Sequence, residues 1–273
     1  TVTGVQTCAL PICASDYVTK RSNTGSLPEG VGKVRAELIP KIKALCKIDA
    51  PAGIPRPGYA AMIPAPTRSV AGRIDIIAIA SSTGGPNALT TVFQHLPANL
   101  PVPIVIVQHM PPVFTKSLAE RLNSVSPLEV HEATDGEILR PGCAWLAPGD
   151  FHLTLERRGV NVVTTLHQDR HENSCRPAAD VLFRSVAAIY GRGTLGVVLT
   201  GMGCDGKKGC EGIRAAGGRI VVQDEATSVV WGMPGAVAQA GLADEILPLD
   251  QIAERLTTIA MFRPVKRALA ATV

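Results

Sequence analysis

Three apolar runs in this 273-residue chain stop abruptly, and each gives way to a turn rich in glycine or proline that carries a reactive side chain. The runs are 74–80 (IDIIAIA), 103–107 (PIVIV) and 195–200 (LGVVLT). A segment that is apolar almost throughout suits a strand covered on both faces, as in a parallel sheet. Helical patterns follow at 87–96 and 112–125, the second with Phe114, Leu118 and Leu122 on one stripe. Shorter strands are predicted at 128–132, 144–146, 152–156 and 161–166, some joined as hairpins through Pro148, Gly149 and Gly159. A helix at 177–190 precedes the run at 195–200. Beyond it come a helix ending near 216, a strand at 219–223 and helices near 233–240 and 250–261. The alternation predicts an α/β fold, a doubly wound three-layer αβα sandwich that is Rossmann-like and mostly parallel, with a β-hairpin region.

Composition narrows the classes of function. With 46% apolar and 18% charged residues, the chain suits a globular protein rather than a disordered one. Charges and prolines interrupt every candidate for the roughly 18 apolar residues that cross a bilayer, so membrane insertion is not expected. The net charge of +4 comes from 27 basic residues scattered among 23 acidic ones, which argues against nucleic acid as a partner. Seven cysteines, at 8, 13, 46, 143, 175, 204 and 210, show no C-x-x-C spacing. Reduced thiols and a cytoplasmic location are the expectation, with no metal site.

The chain divides by composition. Residues 1–13 (TVTGVQTCALPIC) resemble a translated sequencing-adapter read and are taken as an artefactual or disordered segment. Residues 14–46 contain a β-branched run and a helical stripe of Val31, Val34, Leu38, Ile42 and Leu45, with a kink expected at Pro40. Prolines at 51, 55, 57, 64 and 66 mark 47–72 as an extended linker. The main domain is placed at 73–263 and a tail at 264–273.

In a doubly wound sheet, ligand chemistry sits beyond the carboxyl ends of the strands. There the first run is followed by Ser81-Ser82-Thr83-Gly84-Gly85, close to a nucleophile elbow with Ser82 at its apex. A serine-glycine turn also serves as a plain helix cap. The second run is followed by Gln108-His109-Met110-Pro111, which sets an imidazole where a general base is useful. The third leads into Gly201-Met202-Gly203-Cys204-Asp205-Gly206, a G-x-G-x-x-G pattern with Asp224 eighteen positions beyond its last glycine. That spacing supports an alternative, a Rossmann-type dinucleotide-binding module using Gly201–Gly206. Asp205 opposes it, because a carboxylate beside a pyrophosphate repels it. Ser82, His109 and Asp205 together supply nucleophile, base and orienting carboxylate, the needs of a serine hydrolase.

These residues, with Leu146-Ala147-Pro148-Gly149-Asp150, Arg176-Pro177, Asp180-Val181-Leu182-Phe183 and Gly232-Met233-Pro234, resemble the catalytic domain of the CheB methylesterases. The resemblance covers about 74–256 and departs at Ser81, where the family usually has alanine. It implies a chemotaxis hydrolase that demethylates glutamate methyl esters and deamidates glutamines on methyl-accepting chemoreceptors. By the same resemblance the catalytic residues are Ser82, His109 and Asp205, and the backbone N–H of Met202 binds the oxyanion. The N–H of Thr83, which follows the nucleophile, is expected to join it. No cofactor or metal is implied. Residues 14–46 resemble the last strand and helix of a response-regulator receiver domain, with Lys20 at its active-site lysine and Arg21 where proline is usual. The implication is a catalytic domain carrying a receiver stub, the rest of the receiver missing from this chain, and so no control by phosphorylation.

Overall fold

The computed structural model describes residues 72–262, together with Leu38, Ile39 and Ile42, which are helical and exposed. The expectations for 1–13, the linker and the tail lie outside the described residues, as does most of 14–46. Nine strands and six α-helices follow one another among residues 76–261. They are β1 Ile76–Ser81, α1 Gly85–Gln94, β2 Ile104–Gln108, α2 Phe114–Val125, β3 Glu129–Glu132, β4 Cys143–Leu146, β5 His152–Arg158 and β6 Asn161–His167. Then come α3 Ala179–Tyr190, β7 Thr194–Val198, α4 Lys207–Ala215, β8 Arg219–Gln223, α5 Met233–Gln239, β9 Glu245–Leu247 and α6 Leu249–Met261.

Seven strands form one sheet in the order β3-β4-β2-β1-β7-β8-β9, and every pairing in it is parallel. Strands β5 and β6 make a separate antiparallel hairpin, turning through Gly159. The expected hairpin through Pro148 and Gly149 does not form. That loop carries the chain out of the parallel sheet, because β4 pairs with β2 and β3 while β5 belongs to the other sheet. Strand β9 goes unanticipated because three residues at an edge are too few to show a period.

Successive side chains of a strand point to opposite faces, and both faces of this sheet are dry. Ile77 and Ile79 of β1 join Leu89, Phe93, Ile106, Leu122, Val197 and Leu256 in a core with α1, α2 and α6. Ile76, Ala78 and Ala80 join Trp145, Leu182, Phe183, Ile213 and Met233 on the other face, under α3, α4 and α5. A fully buried isoleucine or leucine contributes about 1.5–3 kcal/mol each. The expected three-layer sandwich is therefore present. From β1 the chain passes to β2, crosses to β3 at the edge and turns back to place β4 between them, and later lays β7, β8 and β9 on β1's other side. The winding reverses between β1 and β7, and in doubly wound sheets ligands bind beyond the carboxyl ends of the strands at that point.

Candidate active site

The turn after β1 is held from both sides. Ser81 pairs in register with Gln108, the last residue of β2, and its buried hydroxyl donates to Gln108 Oε1 at 2.7 Å. The Gln108 amide donates in turn to the carbonyls of Ser82 (3.0 Å) and His109 (3.1 Å). The Ser82 N–H donates to the carbonyl of Thr200, just beyond the end of β7, at 3.0 Å. A Cβ at Gly85 would lie 2.0 Å from Gln108 Oε1, so glycine leaves the room this amide needs. Ser81 is thus locked inside the sheet, whereas Ser82 is half-buried at its rim and is the hydroxyl available to a ligand.

Ser82 and His109 each follow directly on the paired residues Ser81 and Gln108, so they emerge side by side on neighbouring strands. His109 Nε2 lies 2.7 Å from Asp205 Oδ2, joining residues 96 positions apart in the chain. Asp205 is 3% exposed and accepts the backbone N–H groups of Ala179 (2.6 Å), Asp180 (3.1 Å) and Gly206 (3.0 Å). Ala179 and Asp180 open α3, whose first N–H groups have no partner within the helix. The carboxylate sits on the positive end of that helix dipole. Burial alone would raise its pKa, but His109 and the N–H groups of α3 outweigh it and hold the carboxyl below its ordinary value. Burial would likewise depress His109. The hydrogen bonds to Asp205 and Cys175 prevail and raise the imidazole to about 9.

Residues outside the three strand-end turns complete the surroundings. The Asn173 amide donates to Asp205 Oδ1 (2.7 Å) and to Asp180 Oδ2 (2.8 Å), bridging two buried carboxylates. Asp180 also accepts the Gly209 N–H at 2.6 Å, and burial pushes its carboxyl up. Cys175 places its sulfur 3.7 Å from His109 Nδ1. Of these, Asp180 stands in a motif already noted, while Asn173 and Cys175 lie in a polar loop whose sequence gives no hint of the contact.

The turn after β7 packs against the turn after β1. The Thr200 hydroxyl donates to the Thr83 carbonyl at 3.0 Å, tying this turn to the one that bears Ser82. A Cβ at Gly201 would lie 2.4 Å from Met233 Sδ and 2.8 Å from Ser82 Cβ, so the two turns touch because residue 201 has no side chain. Thr83 is buried, and Met202 follows Gly201 with its side chain partly exposed. The two expected oxyanion donors therefore belong to adjoining turns. A dinucleotide reading of Gly201–Gly206 fares poorly. Asp205 occupies the end of a helix, and Asp224 is engaged by Thr227, accepting its N–H (3.0 Å) and its hydroxyl (2.6 Å). Among the described residues no cluster of His, Cys, Asp and Glu is arranged to hold a metal, and no helix is long and apolar enough to cross a membrane.

The family model for CheB methylesterase matches residues 77–256. A protein-glutamate methylesterase/protein-glutamine glutaminase of Trichodesmium erythraeum is 50% identical over 251 residues, covering 91% of this chain and 71% of its own length. A protein of the same name from a Nocardioides species is 47% identical over 262 residues, covering 94% of this chain and 71% of its own. The crystal structure of the Thermotoga maritima CheB methylesterase catalytic domain superposes with a TM-score of 0.67 at 47% identity. It covers 69% of this chain and all of that one. Matched by this family model and by these relatives, and sharing the fold of the Thermotoga maritima catalytic domain, this chain belongs to the CheB methylesterase family.

Proposed function

We propose that the domain is a serine hydrolase of bacterial chemotaxis, removing methyl groups from γ-glutamyl methyl esters on the cytoplasmic helices of methyl-accepting chemoreceptors. Deamidation of glutamines in the same places uses the same steps, with ammonia leaving instead of methanol. The observation that carries this reading is the part-buried His109–Asp205 hydrogen bond, with His109 and Ser82 each one residue beyond the paired Gln108 and Ser81 at the reversal point of the sheet.

A serine hydroxyl is a weak nucleophile at neutral pH and needs a base. With Nε2 held by Asp205, Nδ1 is the nitrogen that takes the proton of Ser82 as its oxygen attacks the ester carbonyl. Asp205 fixes the tautomer and stabilises the imidazolium. Negative charge gathers on the carbonyl oxygen, where the backbone N–H groups of Thr83 and Met202 receive it. Each such donor lowers the barrier by about 3–4 kcal/mol. Imidazolium then protonates the departing methanol, and a water activated by the same base hydrolyses the acyl-enzyme. None of these steps draws on a cofactor.

Methanol release from a methylated receptor is the direct assay. Ser82→Ala is expected to reduce it by a factor on the order of 10⁶ while leaving the unfolding midpoint unchanged, since the hydroxyl lies at the rim rather than in the core. A variant that released methanol at a rate comparable with the parent would remove Ser82 from the mechanism.

A further inference from the structure

The site contains a second nucleophile that the proposed reaction does not use. Cys175 Sγ lies 3.7 Å from His109 Nδ1, and the opposite nitrogen of that ring is bonded to Asp205. Nucleophile, base and base-orienting carboxylate are in line, the arrangement that activates a thiol as well as a hydroxyl. The contact is pinned. Glu172 and Cys175 exchange backbone hydrogen bonds of 3.1 and 2.9 Å, and Arg184 clamps Glu172 through two bonds of 2.7 and 2.6 Å. Asn173 and Ser174 between them hold left-handed φ angles of 51° and 62°, a conformation costly for residues with a Cβ.

The other three described thiols provide a contrast. Cys143 and Cys210 are buried, and burial pushes both thiols up, away from the reactive thiolate. Cys204 is exposed, with neither an imidazole nor a cation among its hydrogen-bond or ion-pair partners. Cys175 is half-exposed, so reagents in solution reach it, and it faces the nitrogen that Ser82 also requires.

We propose that Cys175 is a modification site, a thiol activated by the His109–Asp205 pair toward soft carbon electrophiles, and that its alkylation stops hydrolysis at Ser82. In the modification, the imidazolium at Nδ1 favours the thiolate, water takes the thiol proton, and the sulfur lone pair forms the new S–C bond. The bond from that carbon to its leaving group breaks and the electron pair departs as halide. The added group then stands against Nδ1, where Ser82 has to deliver its own proton.

Iodoacetamide in a short pulse at neutral pH, with the labelled peptides quantified by mass spectrometry, tests the first half on the whole chain. Cys175 is expected to label about tenfold or more faster than Cys204, and His109→Gln to bring its rate down to that of Cys204. Equal rates for the two cysteines in the parent chain, or no slowing in His109→Gln, would overturn the activation. The second half rests on His109 being the base of the proposed reaction. Methanol release should fall in step with Cys175 labelling, whereas Cys175→Ala, whatever its starting rate, should lose none of it to the reagent. Full labelling with undiminished release would refute the block. A parent chain that releases no methanol even before treatment would count against the hydrolase reading instead, and the labelling comparison would still stand.

Discussion

The turns after β1 and β7 share a backbone design and do opposite jobs. Each passes from a buried parallel strand to a helix through a glycine in the left-handed region, Gly84 at φ 80° and Gly206 at φ 90°. The first leaves a hydroxyl at the rim, with the start of its own helix close behind. The second turns its carboxylate away from its own helix and onto the first N–H groups of α3. The same turn thus accommodates a hydroxyl or a carboxylate, and the choice is decided by what packs across from it. A glycine fingerprint alone cannot distinguish a phosphate cradle from a carboxylate anchor, because the occupant of the helix end is a matter of tertiary structure.

Removing the charge from the second turn is the strongest way to break this comparison. Asp205→Asn keeps the shape but replaces an acceptor of five hydrogen bonds with a group that also donates. The amide cannot satisfy every N–H around it and no longer favours the imidazolium. Methanol release should fall by a factor on the order of 10⁴, and stability should drop as well, by about 3 kcal/mol for a broken buried pair. If the turn is instead a phosphate cradle, Asp205→Asn should gain affinity for NADH in a fluorescence titration, and hydrolysis should be unaffected.

A smaller effect is expected where the turns touch. Gly201→Ala forces a Cβ onto Met233 and Ser82, with a stability cost of about 1–3 kcal/mol and a loss of roughly 10² in kcat from displacing the hydroxyl. Gly203→Ala sharpens the contrast. Nothing lies within 4 Å of its added carbon, but φ is 88°, so it should cost about 1–2 kcal/mol in stability and leave kcat nearly intact. Equal kcat values for the two variants would show that contact between the turns does not position Ser82.

How much of this was legible in the sequence follows from how each feature is encoded. Strands β1, β2, β7 and β8 are plain because burial on both faces writes an unbroken apolar run, and the residue after each run is fixed by counting. That is why His109 and Asp205 are found together in space as expected. The hydrogen bond that excludes Ser81 is not readable, since it depends on Gln108 in the neighbouring strand, 27 positions away. Asn173 and Cys175 are hidden for the same reason. Asp205 and His109, which they meet in the site, lie 32 and 66 positions away, and the loop that carries them has no period. Strand ends are a local property; the groups that surround them are not.

The mildest test concerns the charge that the two turns share through His109, and it sets activity against stability. An imidazole held at about 9 is mostly protonated at neutral pH and cannot take the proton of Ser82. As pH rises toward 9 the neutral form grows, so kcat/KM should increase about fivefold between pH 8 and pH 9, with an apparent pKa near 9 for the free enzyme. Stability runs the other way. The folded state binds the His109 proton more tightly than the unfolded chain, whose histidine titrates near 6.5. The resulting stabilisation is complete below 6.5 and is lost as pH rises through 9, because in that window the native protein must release the proton that the unfolded one has already given up. Asp205 adds nothing to this slope. Its depressed carboxyl contributes stability above the ordinary aspartate range and loses it only in acid. Denaturant midpoints measured across pH 6.5 to 9 should therefore decline in the parent chain and lie nearly flat in His109→Gln. A parent curve as flat as that of the variant would mean that the imidazole is not held charged, and that Ser82 meets a ready base at neutral pH.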